Sequence, residues 1–565
     1  MAEIFDSSES ESEFDGFELR DINAAEERYL QQHIDALNNI DFDIEFSDVD
    51  SDENEGFNSD DDNVALAEIA KWGDELRPVQ INDFTGPRPG PTTQMDKEKT
   101  EIDFFHLIFP ERLYSEIATQ TNAYANGRQN ENWTPTTSDE IKAYIGGQIV
   151  MGIVPVPNMD MYWYKDKLFH SSSLEEKFSR NRYEELQRYL HVANTTQNSP
   201  RLQPGHDKLA HVRPILEIVR DKSFQEYKPH MEVSIDEAMI GFNGRLGFKQ
   251  YVPLKPTKRG IKVWVRADPS NGYINDFQVY TGKTANNPEQ NLGKRVVLDL
   301  MTPVFGLGHH LYCDSFFTSP DLFTSLWDHG TYACGTVRAN RKGLPAGLDR
   351  IKLKEQGQFV VKQKNYMRVT VWRDKKNINL LSTNCFGEPD KVNRKQKDGT
   401  IKEVPCPLSV KHYNMFMNGV DHADQLRSTY NISRKCLKWW KYLFNFLVDI
   451  SIVNAYLLMR ESVNHQIVTK KNRPRQMTQL EFRMKLAHQM LGQFHGKRKR
   501  SVDPRPVLQP SNHWIENMPK KKTCKLCSQN KIRKEPKTGC AQCNVNLCIE
   551  CFRPYHRKLF PQLFV

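Results

Sequence analysis

VSIDEAMIGF (233–242) and HLYCDSFF (310–317) each set one aspartate, Asp236 and Asp314, within a run of apolar, β-branched and aromatic residues. Such runs read as strands of a covered sheet, and a carboxylate placed in one needs a partner, because an isolated ionised carboxyl is costly to bury. Around the first run, LGFKQYVP (246–253) and IKVWVRAD (261–268) are further strands. The turn DPSNGY (268–273) carries an Asn-Gly pair that leads into INDFQVYTG (274–282), a hairpin signal. A helix (NLGKRVVLDLMTPVFG, 291–306) then leads to the strand of Asp314. A helix opened by Ser-Pro (SPDLFTSLWDHG, 319–330) leads to the strand TYACGTVRAN (331–340). Hairpin strands followed by helix, strand, helix, strand indicate an α/β core over 231–340, in which the strands of Asp236 and Asp314 can lie side by side.

The flanks differ in period. From 96 to 230 apolar residues recur at three and four, as in TEIDFFHLIFPERLYSEIATQTNAYA (100–125), which predicts a helical domain. Residues 341–410 are Gly- and Lys-rich strands such as GQFVVKQKNYMRVTVWRD (357–374), and read as a β-rich insertion. Helical periodicity resumes with NGVDHADQLRSTY (418–430), so that 411–432 return to the core and 433–495 form a second helical part. A basic linker (496–512) leads to a cysteine-rich end (513–565).

The chain has 565 residues and a net charge of +7, but the charge is unevenly spread. Residues 1–62 hold 22 acids against Arg20 and Arg28, a net of −20, which leaves +27 for the rest. Residues 1–95, rich in Ser, Asp, Glu and Asn and then in Pro and Gly, are too polar to bury a core and are expected to be a disordered acidic arm. The acidic opening has neither a basic n-region nor an apolar h-region, so no export is expected. The longest apolar stretch, Leu443 to Met459, contains Asn445, Asp449 and Asn454 and reads as a buried helix rather than a membrane span. Five scattered cysteines, Cys313, Cys334, Cys385, Cys406 and Cys436, fit a reduced compartment.

A third acid can come from NGVDHADQL (418–426), where Asp421 and Asp424 are three apart on one helical face. Taken singly, each aspartate has an ordinary reading as a cap, turn or surface residue, and GVDHADQL alone is a first-turn pattern favoured by the helix dipole. The order strand, strand, helix makes them a set. Four converging carboxylates repel unless a cation neutralises them, and a pair of Mg²⁺ ions, which prefer hard oxygen ligands, suits phosphate chemistry.

Here the sequence resembles a known family. VSIDEAMIGFNGRLGFKQYVPLKPTKRGIKVW (233–264), HLYCDSFFTSPDLFTSLWDHGTYACGTVRANRKGLP (310–345) and NGVDHADQLRSTY (418–430) match blocks of the piggyBac DDE/D transposases in the expected order. The resemblance implies that Asp236, Asp314 and Asp421 are catalytic carboxylates accompanied by Asp424. It also implies an RNase H-like core interrupted by an insertion, and a helical dimerisation and DNA-binding domain built from both sides of the core. The implied activity is cut-and-paste transposition on double-stranded DNA by a homodimer, with hairpinned transposon ends and insertion at TTAA. No membrane and no small-molecule substrate enters.

Cys524-x2-Cys527, Cys540-x2-Cys543 and Cys548-x2-Cys551, with His556 and the more distant His513, offer eight ligands for two structural Zn²⁺ ions. The resemblance implies an interleaved cross-brace in which the first and third pairs share an ion. Between His513 and Val565 there are 11 basic residues against three acids, and Lys520, Lys521, Lys522, Arg533 and Lys534 crowd the first pairs, which points to nucleic acid. Lys435, Lys438, Trp439, Trp440 and Lys441 mix cations with aromatics at a helix start, a mixture suited to DNA. The resemblance gives Trp439 the DNA-facing role and leaves Trp440 to pack inward. GKRKR (496–500) reads as a nuclear import signal, a phosphate-binding run or a solvated linker; a nuclear location is expected. Two other readings stay open: a domesticated, catalytically silent DNA- or chromatin-binding protein, and a RING-like ubiquitin ligase, which leaves the acids unexplained.

Overall fold

The structure, a computed structural model, describes residues 71–559 except 130–131, 165–171, 201–202, 254, 256, 283–290, 386–387, 396–399, 469–473, 493 and 497–512. Most of the acidic arm and the GKRKR run lie outside the described residues. The chain divides into two units, up to Gly496 and from Lys497 onward.

The first unit is a mixed α/β fold centred on one sheet. Its strands are β1 (Glu232–Gly241), β2 (Gln250–Tyr251), β3 (Arg259–Ala267), β4 (Ile274–Val279), β5 (His310–Cys313), β6 (Tyr332–Thr336), β7 (Phe359–Lys364), β8 (Met367–Arg373) and β9 (Asn377–Ser382). The sheet order is β2-β3-β1-β5-β6-β9-β8-β7, and β4 also pairs with β3. β1, β5 and β6 are parallel neighbours and the remaining pairings are antiparallel. The β-rich segment therefore extends the same sheet through β7 to β9. Within this segment the hairpin β10 (Pro389–Lys395) with β11 (Ile401–Pro407) stands off the sheet.

Alternation along β1 decides its two faces. Val233 and Ile235 pack with Val296, Val297, Leu322 and Phe323. Ala238 and Ile240 face the helical core instead.

The helices are α1 (Glu101–Ile108), α2 (Arg112–Gly127), α3 (Ser138–Ile153), α4 (Ser172–Lys177), α5 (Arg180–Tyr189), α6 (Arg213–Glu226), α7 (Leu292–Met301), α8 (Pro320–Asp328), α9 (Leu408–Phe416), α10 (Gly419–Thr429), α11 (Trp439–Glu461) and α12 (Gln479–Leu491). α11 is long and apolar enough to cross a membrane, yet 94% of its apolar window is buried inside the protein. Its polar residues have internal partners: Asp449 meets Arg483 of α12 at 3.3 Å, and Asn454 bonds the backbone of Ile274. α1 and α12, from opposite ends of the unit, are clasped together. Ile102 N donates to Gln489 Oε1, Gln489 Nε2 donates to Glu101 Oε2, and Lys485 pairs with Glu101.

Part of the arm expected from composition has a defined structure. Residues 71–95, expected to belong to a disordered arm, form a strap that pairs with the edge strand β7 and then passes the starts of β6 and β5. Gly73 bridges to Gln363 of β7, Trp72 Nε1 donates to Gly343 O, Asp74 pairs with Lys362, and Phe84 packs edge-on to His309. A few aromatic and backbone contacts at an otherwise open strand edge outweigh the polar composition.

In the second unit, β12 (Glu516–Asn517), β13 (Thr538–Cys540) and β14 (Val545–Asn546) form a small sheet beside α13 (Lys525–Gln529) and α14 (Ile549–Leu559). Among its described residues few apolar side chains are buried: Met518, Cys524, Cys527, Cys540 and Leu547.

Candidate active site and metal centres

β1 and β5 run in parallel register up to Ile235 opposite Cys313. Asp236 and Asp314 are the next residues on each, so both stand where the strands part, at the carboxyl end that opens a crevice in parallel sheets. The turn after β5 is fixed by Thr318, whose N and Oγ1 donate to Asp314 O, and by Phe316 N, which donates to Asp314 Oδ1 at 3.0 Å. Oxygens of Asp236, Glu237 and Asp314 lie within 4.8 Å of one another.

Glu237 was not singled out from the sequence, because strand alternation sends neighbours to opposite faces. Two details override that rule here. Asp236 curls back so that its Oδ1 accepts from Glu237 N at 2.7 Å, and the longer Glu237 stem reaches the rim beside Lys262, 3.8 Å away. The signal present in the sequence was the acidic pair itself.

Crowding of like charges away from water disfavours ionisation. Burial, then the charges of Asp236 and Glu237, push the Asp314 carboxyl up to about 7. Burial and then Asp236 raise Glu237 as well. Lys255, from the loop between β2 and β3, answers this negative charge: its Nζ is 3.2 Å from Asp236 Oδ2 and 3.8 Å from Asp421 Oδ1. Burial alone would lower the Lys255 pKa, but Asp236, Asp421 and Glu237 outweigh it and raise it.

Asp421 sits in the first turn of α10 and reaches the site through Lys255 rather than within the tight trio. Its side chain is 57% exposed, and partial burial followed by Asp236 raises its pKa. The close approach of α10 to the sheet depends on two glycines. A Cβ at Gly419 would meet Ser234 Oγ at 2.3 Å, and Gly272, at φ +80° in the Asn-Gly turn, lies 3.0 Å by the same measure from Ala423 N. Asp424, expected with the acids, is instead held by Arg427 of the same helix at 3.0 Å.

The aromatic-basic segment divides by burial. Lys435 and Lys438 are exposed, Trp439 is half-buried against Phe248, and Trp440 is buried against His191 and His211. Lys441 corrects the sequence reading. It is 6% exposed and its Nζ donates to the carbonyls of Gln187 and Arg188, capping the end of α5, so it does not face a DNA phosphate. Burial lowers its pKa to about 8.

In the second unit the ligand atoms fall into two quartets: Cys524, Cys527, Cys548 and Cys551; and His513, Cys540, Cys543 and His556. The first pair of cysteines thus joins the third. Sulfur separations of 3.4 to 3.8 Å in the first quartet match the edge of a zinc tetrahedron, which is about 3.8 Å for Zn–S near 2.3 Å. His513 Nδ1 lies 3.3 Å from both Cys540 Sγ and Cys543 Sγ, and His556 Nε2 is 3.4 Å from Cys543 Sγ. The donors fit zinc in both places. Lys520, Lys521 and Lys522 are exposed, whereas Arg533 and Lys534, also exposed, contact Glu535 and Glu550.

Residues 100–456 match the family described as Transposase IS4. The chain is 27% identical over 499 residues to the human PiggyBac transposable element-derived protein 2, spanning 85% of this chain and 80% of that one. It is 28% identical over 481 residues to the human PiggyBac transposable element-derived protein 3, spanning 81% and 77%. Among solved structures, a piggyBac transposase synaptic complex with hairpin DNA superimposes with a TM-score of 0.61 at 25% identity, over 82% of this chain and all of that one.

Proposed function

Because the chain belongs to the piggyBac type of the Transposase IS4 family, we propose that it is a two-metal DNA transposase with an RNase H-like core. It binds terminal inverted repeats as a nuclear homodimer, excises the element with hairpinned ends and inserts it at TTAA. The observation that carries this reading is the meeting of Asp236, Glu237 and Asp314 where β1 and β5 part, with Asp421 brought alongside by α10. Hard carboxylate oxygens at this spacing suit Mg²⁺. A pair of such ions, held by Asp236, Asp314 and Asp421, would activate the attacking water or 3′-hydroxyl and stabilise the leaving 3′-oxygen. The chain's own part is to fix three acids from separate elements, while Lys435, Lys438 and the half-buried Trp439 position DNA. In the second unit, closed zinc sites leave no open coordination position, so their work is to shape a basic surface for DNA.

The test is strand cleavage by purified protein in Mg²⁺ on duplexes carrying the inverted repeats that flank its gene. Asp314→Ala is expected to lower cleavage at least ~10³-fold with DNA binding retained; cleavage at the wild-type rate would overturn the assignment. A second reading, DNA binding without cleavage in a domesticated protein, is favoured by the internal pairing of Asp236 and Asp421 with Lys255 and of Asp424 with Arg427. It predicts binding with no cleavage in the wild type.

A further inference from the structure

We propose that Lys255 is a resident counter-ion that keeps divalent metal out of the acid cluster until a DNA phosphate draws its ammonium away. The proposal rests on the reading of Asp236, Glu237, Asp314 and Asp421 as a metal site. It concerns how loading of that site is timed.

Three observations combine. The Lys255 ammonium lies between a strand acid and a helix acid, 3.2 Å from Asp236 and 3.8 Å from Asp421. A divalent ion bridging the same two carboxylates would occupy that space, so the two cations exclude each other sterically and by charge. Second, Lys255 is carried by a loop between the short β2 and β3, closed by Val252 N donating to Lys258 O. Its long stem can turn without moving either acid, and its side chain is 26% exposed, so solvent or a ligand can reach it. Third, Lys258 of this loop and Arg259 at the start of β3 line a crevice together with Gly241, Asn243 and Tyr251. Arg259 lies over the exposed Tyr251 ring at 5.1 Å. This cationic rim, at the Gly241 end of β1, gives the loop a surface suited to attract a DNA backbone, whose phosphate would offer Lys255 an alternative to two carboxylates.

Lys255 therefore couples two binding events. In free protein it competes with metal; with DNA present it pairs with phosphate and the acids are released to bind metal. By reciprocity, metal strengthens DNA binding by the same factor that DNA strengthens metal binding. Free protein is thereby kept from loading a nuclease site before its substrate arrives.

The experiment uses full-length, zinc-loaded protein and Mn²⁺ as the probe, with bound metal read by electron paramagnetic resonance. Binding to the acid site is the difference from Asp236→Asn under the same conditions, with and without a short duplex. Wild type is expected to bind Mn²⁺ weakly alone and about 10-fold or more tightly with duplex. Lys255→Met is expected to bind tightly in both cases, so its coupling disappears. Lys255→Arg, which keeps the charge, should behave as wild type, and circular dichroism checks that each variant is folded. A Lys255→Met protein that retains the wild-type gain on adding duplex overturns the counter-ion role while leaving the metal site standing. Absence of acid-site Mn²⁺ binding in every variant, with or without duplex, overturns the metal-site reading and this proposal together.

Discussion

Asp314 shows how one residue can report the state of the whole site. Held at about 7 by burial and by Asp236 and Glu237, its folded pKa lies above the ordinary 3.8 of an unfolded aspartate. Between those values the folded chain keeps a proton that the unfolded chain has lost. The contribution of this group is thus fully present below about pH 4 and falls away as pH rises toward 7. In magnesium-free, zinc-replete buffer, Asp314→Asn should remove that decline, leaving the variant ~4 kcal/mol more stable than wild type at pH 8 and equal to it near pH 4. Denaturant unfolding followed by tryptophan fluorescence measures the difference; parallel pH slopes in the two proteins would contradict it. The stabilising effect of removing an acid suits a group kept for binding a cation rather than for holding the fold.

At the scale of elements, α10 is positioned by what its glycine lacks. Adding one methyl at Gly419 meets Ser234 Oγ at 2.3 Å and Pro269 at 3.1 Å, so the helix must lift off β1 and take Asp421 with it. Gly419→Ala is expected to lower cleavage about 10²-fold, the usual cost of an ångström of misplacement, while Asp236 and Asp314 stay in place. Cleavage at the wild-type rate would show that α10 has slack. The segment also marks the limit of what was legible. Its helical period and its aspartates could be read from NGVDHADQL, as could the strands of Asp236 and Asp314, since each is a local pattern of a few residues. Three features depended on three-dimensional neighbours with no sequence period: the second acid at Glu237, the Lys255 bridge, and the inward turn of Lys441. The strap at 71–95 was hidden because a handful of contacts by Trp72, Gly73 and Phe84 decide it within a stretch that composition calls unfoldable.

For the whole molecule, two units with different sources of stability should part company when metal is removed. The first unit buries a large apolar core on both sides of its sheet, whereas the described residues of the second bury little beyond three cysteines, Met518 and Leu547. A fold so small draws its stability from metal binding. A strong zinc chelator is expected to abolish the structure of residues 513–559 and leave the main melting transition within about 2 °C of its starting value. Hydrogen exchange resolved by peptide makes the comparison, and retained protection around Cys540 to Cys551 after chelation would rule out metal-dependent folding.

The clasp between α1 and α12 joins residues whose positions differ by 388, through Glu101 and Gln489. Closing so long a loop in a disordered chain costs about 5 kcal/mol in entropy, more than a pair of hydrogen bonds returns. The clasp therefore closes late, after the sheet between its halves has shortened the path. Until residues 479–491 are made, α3 also lacks the surface that receives Gly146, whose Cβ position lies 2.8 Å from that of Met490. During synthesis the earliest helices wait with their apolar faces uncovered for the last, a slow route of high contact order on which folding is most exposed to aggregation.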